Sequence, residues 1–143
     1  MKTISLIVTL FLTTVAGFAK RTPSAKADFR DAMDKLWDDH VTWTRLCIVS
    51  AAANLPDKDP TPQRLLQNQA DIGNAIKPVY GDAAGEKLTR LLKDHIMIAT
   101  EIIDAAKVGD SAKKDEAANR WKTNADEIAT FLSQCQSEEL VAR

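Results

Sequence analysis

Two cysteines, two histidines and a single tyrosine are all that this chain of 143 residues holds of those types. No CxxC, CxxCH or Cys/His zinc spacing can be written from them, which removes thioredoxin-like redox chemistry, c-type haem attachment and zinc fingers. An excess of either charge is missing as well: 19 Lys and Arg stand against 20 Asp and Glu. Nucleic acid demands a basic patch, and the densest basic pair, Lys113-Lys114, is followed at once by Asp115-Glu116. Nucleophile-elbow, P-loop, GxGxxG and HExxH motifs are absent. Beyond the first residues there is no strand-like alternation, and no run apolar enough to cross a membrane.

What is present at the N-terminus reads as an address. Lys2 precedes an apolar stretch over residues 4–15, and then come Ala16, Gly17, Phe18 and Ala19. That layout predicts a secretory signal peptide cut after Ala19. A membrane anchor would need about 20 apolar residues. The chain is therefore expected to be secreted or periplasmic, touching a membrane only through its leader. Residues 20–143 keep 18 basic and 20 acidic side chains, close to neutral, in a length that suits one domain.

That domain reads as all-α. Helix 1 is expected from residue 24 or 28 to 54, with Phe29, Met33, Leu36, Trp37, His40, Val41, Thr44, Cys47, Ile48 and Ala51 recurring at three- and four-residue steps. Helix 2 is expected to start with Thr61 as N-cap and Pro62 in the first turn. Leu65, Gln69, Ile72 and Ile76 face inward, and Pro78 should stop the helix at Lys77. Helix 3 should begin at Asp82 as a cap and end before Gly109. Helix 4 should start at Asp110 or Ser111 and fade after Ser133. A bundle over 20–135 would then leave 136–143 as a polar tail that extends the helix or frays. Short connections favour an up-down-up-down antiparallel four-helix bundle. The alternative is an open helical array completed by a homodimer.

His40, Gln69, His95 and Asn124 fall near the midpoints of the inner faces, one to a helix. In an antiparallel bundle, midpoints meet within a slab of about 10 Å. Buried polar groups need partners, so this layer is the expected site. Two facing imidazoles can ligate a transition metal or both faces of a haem iron, with Met33 or Met97 as a weaker axial choice. Zinc would want a third ligand, and neither Asp71 nor Asp94 lies squarely on the stripe. The plainer use is a polar network fixing helix register. Trp37, Trp43 and Trp121 cluster near the layer. Arg45 is expected to pair with Asp71 or Asp94 at the rim. Asn68, Asp71 and Asn74 form a second polar line, read as a solvated face. In this arrangement Cys47 and Cys135 stand about 20–30 Å apart along the axis, against about 7 Å between the Cα atoms of a disulfide. Cys47 is expected as a buried thiol, and Cys135 outside any intramolecular bridge or paired between chains.

Four segments in order carry a resemblance: residues 36–45 (LWDDHVTWTR), 64–78 (RLLQNQADIGNAIKP), 91–96 (LLKDHI), and Trp121 followed by 124–129 (NADEIA). Together they resemble an uncharacterised family of small secreted bacterial helical proteins, some labelled glycosyltransferase. The resemblance implies an exported helical protein and carries no catalytic residue with it. Longer members continue past the stretch matching 138–143, and a chain without that extension is expected to leave an apolar surface exposed or dimeric. Three functions follow as expectations. The first is a non-enzymatic bundle binding a small ligand or partner protein through the polar layer. The second is a metal- or haem-binding bundle using His40 and His95. The third is an enzyme with one of these histidines as base in a core cleft.

Overall fold

Residues 24–141 are described by a computed structural model. The leader expected over 1–19 lies outside them. Four helices carry the described chain: α1 (Ala25–Ala53), α2 (Pro60–Tyr80), α3 (Asp82–Lys107) and α4 (Ser111–Val141), and there is no strand among these residues.

The ends follow local chemistry. Ser24 caps α1 by accepting from Ala27 N–H at 3.3 Å. Asn54 closes the helix in the left-handed region, at φ 52°, a conformation Asn tolerates better than most residues. Four boundaries differ from the sequence expectation. Helix α2 begins at Pro60 behind Asp59, so Thr61 is not its cap. Thr61 is a buried helical residue whose hydroxyl donates to the Asp57 carbonyl at 2.5 Å. Pro60 and Pro62 fit there because first-turn N–H groups have no intrahelical acceptor. Pro78 does not stop α2, which runs on to Tyr80. The one N–H it removes would have met the carbonyl of Asn74, an exposed residue that water can serve. Gly81, at φ 85°, makes the turn and stands at the N-cap of α3, so Asp82 is the first helical residue rather than the cap. Helix α4, capped by Asp110 Oδ1 accepting from Lys113 N–H at 3.0 Å, does not fade after Ser133: of the two courses expected for the tail it takes the helical one, to Val141.

The helices pack unevenly. α2 and α3 share the closest seam, α4 packs on α3, α1 packs on α2, and α1 touches α3 only lightly. Ile72, Ile76, Leu88, Leu92, Phe131 and Cys135 form the buried cluster, with Phe29, Met33, Leu36 and Ile128 packed against it. Each such residue contributes about 1.5–3 kcal/mol on burial. The core thus gathers where α1 starts and α4 ends. α1 and α4 are not a closely packed pair among the described residues.

Candidate functional site

His40 and His95 each keep one ring nitrogen bound to an amide of the helix that follows. His95 Nδ1 lies 2.7 Å from Asn124 Oδ1. The orientation of that amide is set by its other end, since Asn124 Nδ2 donates to the Leu91 carbonyl at 3.1 Å. Asn124 Oδ1 can only accept, so neutral His95 carries its proton on Nδ1 and a lone pair on Nε2. His40 faces an amide nitrogen instead. Its Nδ1 lies 3.1 Å from Gln69 Nε2. That nitrogen faces the Leu65 carbonyl at 2.9 Å and Asn68 Oδ1 at 3.1 Å, while Asn68 Nδ2 donates to the Leu36 carbonyl at 3.0 Å. Turning the Gln69 amide over would set its oxygen against two acceptors. Gln69 Nε2 has two hydrogens for these three acceptors; with one on the Leu65 carbonyl and the other on His40 Nδ1 rather than Asn68 Oδ1, the proton of neutral His40 sits on Nε2.

Three backbone carbonyls, of Leu36, Leu65 and Leu91, thus set the polarity of the network. Burial holds the His40 imidazole below its ordinary value, the nearby His95 pushes the same way, and the Asn68 and Gln69 side chains offset part of this. The rings are packed differently: Trp121 stacks on His95 with centroids 4.5 Å apart, and its indole N–H donates to the His95 carbonyl. Trp37 meets His40 edge-on at 5.2 Å.

Both imidazoles line one groove of about 460 Å³, walled mainly by α1 and α3 and reached from α4 by Trp121 alone. Ile48 of α1, Leu65 of α2, Ile96, Ala99 and Ile103 of α3, and Trp121 of α4 make it mainly apolar. The same two rings and Ile96 also bound a smaller pocket of about 230 Å³, into which Gln69, Trp37 and Ile128 face. The histidines stand at the junction of the two spaces. No hydrogen bond joins the rings to each other among the described residues. Nδ1 is engaged in each, so Nε2 is the nitrogen each has left for a further partner. Two oxygens beside them, Thr44 Oγ1 and Gln69 Oε1, are buried without a hydrogen-bond partner, an arrangement that costs about 1–3 kcal/mol for each group left so.

The expected layer is therefore present as two tethered pairs, His40–Gln69 and His95–Asn124, with Trp37 and Trp121 against the rings. The rest of the expected set is placed elsewhere. Trp43 lies under the Arg64 guanidinium, 5.3 Å from its ring centroid. Arg45 is exposed and makes no ion pair among the described residues; Asp71 stands 3.9 Å from Arg64 of its own helix and accepts from Gln67. Asn68 does not belong to a solvated face. It is fully buried and ties α2 to α1, while Asn74 remains exposed. Cys47 is only partly buried, in the groove wall, where burial raises its thiol pKa and keeps it protonated at neutral pH. No disulfide joins it to Cys135. Met33 packs on the core cluster and Met97 is exposed, and neither lines the groove. Among the described residues no three His, Cys, Asp or Glu side chains come close enough to hold a metal ion.

Two signals in the sequence pointed to the second half of this network. Leu36-x-x-Asp39-His40 and Leu91-x-x-Asp94-His95 have the same spelling, and so do Asn68-x-x-x-Ile72 and Asn124-x-x-x-Ile128. In each hairpin the Leu carbonyl receives the Asn amide. The repeat places Asn68 beside Asn124 in role. Gln69, for which the second hairpin has Ala125, is what makes the two histidines unlike. No family model, curated protein or solved structure matches this chain.

Proposed function

We propose that this protein is an exported, non-enzymatic binding protein that holds a small, largely apolar molecule in the groove lined by His40 and His95. In this reading the leader over 1–19 is removed, the four helices run up-down-up-down as an antiparallel bundle, and the chain belongs with the small secreted helical proteins its four segments resemble. One observation carries it: two imidazoles, each pinned by an amide, line a single apolar groove of about 460 Å³. Ligand sites are typically about 300–1,000 Å³, mostly apolar, with few placed polar groups.

A second reading rests on His95. An imidazole whose Nδ1–H is bonded to an oxygen and whose Nε2 is open has the arrangement of a metal-ligating histidine, which favours haem or a transition metal held from the α3 side. The two readings separate on protein purified from its own host. Organic extraction and mass spectrometry are expected to yield a near-stoichiometric small molecule, without a Soret band and without bound iron, copper or zinc. A Soret band or stoichiometric metal would establish the second reading instead. Protein that carries neither, and whose melting temperature responds to no apolar probe, would overturn both.

A further inference from the structure

We infer that the polar end of the bound molecule is a neutral hydroxyl, an alcohol or phenol, received between His40 and His95. The inference rests on the groove being the binding site and adds the chemistry of the head group. The two imidazoles are not equivalent. In the inferred arrangement the second Gln69 Nε2 hydrogen goes to His40 Nδ1, so His40 presents Nε2–H, a donor. His95 presents a bare Nε2, an acceptor, because Asn124 Oδ1 takes its Nδ1–H. A group set between one donor and one acceptor must itself accept and donate. A hydroxyl does both on one atom.

Other head groups fit worse. An ether or ketone accepts from His40 but leaves the His95 lone pair unpaired. An ammonium donates to His95 but sets its hydrogens against His40 Nε2–H. A carboxylate has no proton for His95, and no Lys or Arg lines this groove to neutralise it. A carboxylate would instead favour a charged His40, which burial and the neighbouring His95 disfavour. Thr44, one turn beyond His40 on α1, lines the same groove. The apolar remainder of the molecule lies along Ile48, Ala99 and Ile103.

The test has two arms, both on the full folded protein. Long-range proton–nitrogen correlation spectra of the histidine rings at pH 7.5 read the tautomers directly. Opposite tautomers are expected, with Nε2 protonated in His40 and Nδ1 in His95. The same proton position in both rings would overturn the inference. Titration calorimetry then compares 2-naphthol, 2-methoxynaphthalene, naphthalene and 2-naphthoate. The naphthol is expected to bind about tenfold or more tighter than each of the others, and His95→Phe is expected to reduce it to the level of the methoxy compound. Equal binding of naphthol and methoxynaphthalene, or tightest binding of naphthoate, would overturn the hydroxyl assignment while leaving the groove as a binding site. Binding of none of the four would remove the groove reading itself, and the head-group assignment with it.

Discussion

The α2–α3 seam and the histidine-lined groove are built on opposite principles. Along the first, Gly73 and Gly85 face each other so closely that a methyl group on Gly73 would come within 2.5 Å of the Gly85 carbonyl and collide with the Thr89 side chain. Backbone meets backbone there, and both glycines are buried. Along the second, α1 and α4 both reach the core cluster, through Phe29 and Met33 and through Phe131 and Cys135, but are not a closely packed pair. The groove lies where α1 only lightly touches α3. Fully buried, tightly packed surface stabilises the fold. Surface left apart contributes less to stability and is available to a ligand. Close packing and open apolar surface thus fall to different parts of the molecule, with the histidine networks between them.

The sharpest way to break that division is to add one carbon to the tight seam. Gly73→Ala forces α2 and α3 apart, and overpacking of this kind costs about 1–3 kcal/mol, with more when backbone atoms oppose it. Chemical denaturation should show a loss at the upper end of that range. A loss below about 0.5 kcal/mol, the size of a surface substitution, would mean that the seam is not what holds the fold.

Next in size is the boundary itself. Asn68→Ala removes the amide that bonds the Leu36 carbonyl and faces Gln69, both in buried surroundings. Stranding such groups costs about 1–3 kcal/mol. Asn124→Ala should cost a similar amount through Leu91 and His95. If the α3–α4 tether proved worthless while Asn68 kept its effect, only α1 and α2 would count as structural, and His95 would belong to the ligand alone.

A smaller effect comes from pH. The folded value of His40 lies below its ordinary 6.5, mainly through burial, so the unfolded chain takes up a proton first as pH falls. Unfolding is then favoured progressively from about pH 6.5 downward to the folded value, and stability is recovered as pH rises above it. Melting temperature should decline between pH 7.5 and 5.5, above the range where carboxylates titrate. In His40→Gln that part of the decline should vanish. A decline identical in the variant would assign it to another group.

How far the sequence led can be judged at particular residues. Periodicity placed all four helices, and His40, Gln69, His95 and Asn124 on their inner faces, because a three-to-four-residue apolar repeat is a direct record of which face is buried. Pro78 misled because a local preference against helix was outweighed in the last turn, where only one hydrogen bond was at stake. Asn68 misled for the opposite reason: Asn at the edge of an apolar stripe is usually solvated, and only the Leu36 carbonyl on a neighbouring helix makes it a core residue. The groove left no trace in the pattern, because Ile48, Ala99 and Trp121 would be equally apolar against a helix or against a ligand. The pairing of each histidine with a particular amide also depends on inter-helix register, which a one-turn shift of about 5 Å changes.

The least effect on stability, and the most informative on the division of labour, should come from filling the groove. Ala99 lines it from α3 and is partly exposed to it. Ala99→Phe places an aromatic ring in open apolar space rather than against a packed wall, so the overpacking penalty of the glycine seam does not apply, and the buried ring surface offsets its lost rotamer freedom. The change in unfolding free energy should stay within about 0.5 kcal/mol, with both histidine networks intact by their tautomer signals. Binding of 2-naphthol should nevertheless be lost, because the ring takes the volume the apolar body needs. A large loss of stability would show that the groove closes in solution and that its walls are in contact. Unchanged binding would move the site into the smaller pocket under Gln69, on the far side of the same two imidazoles.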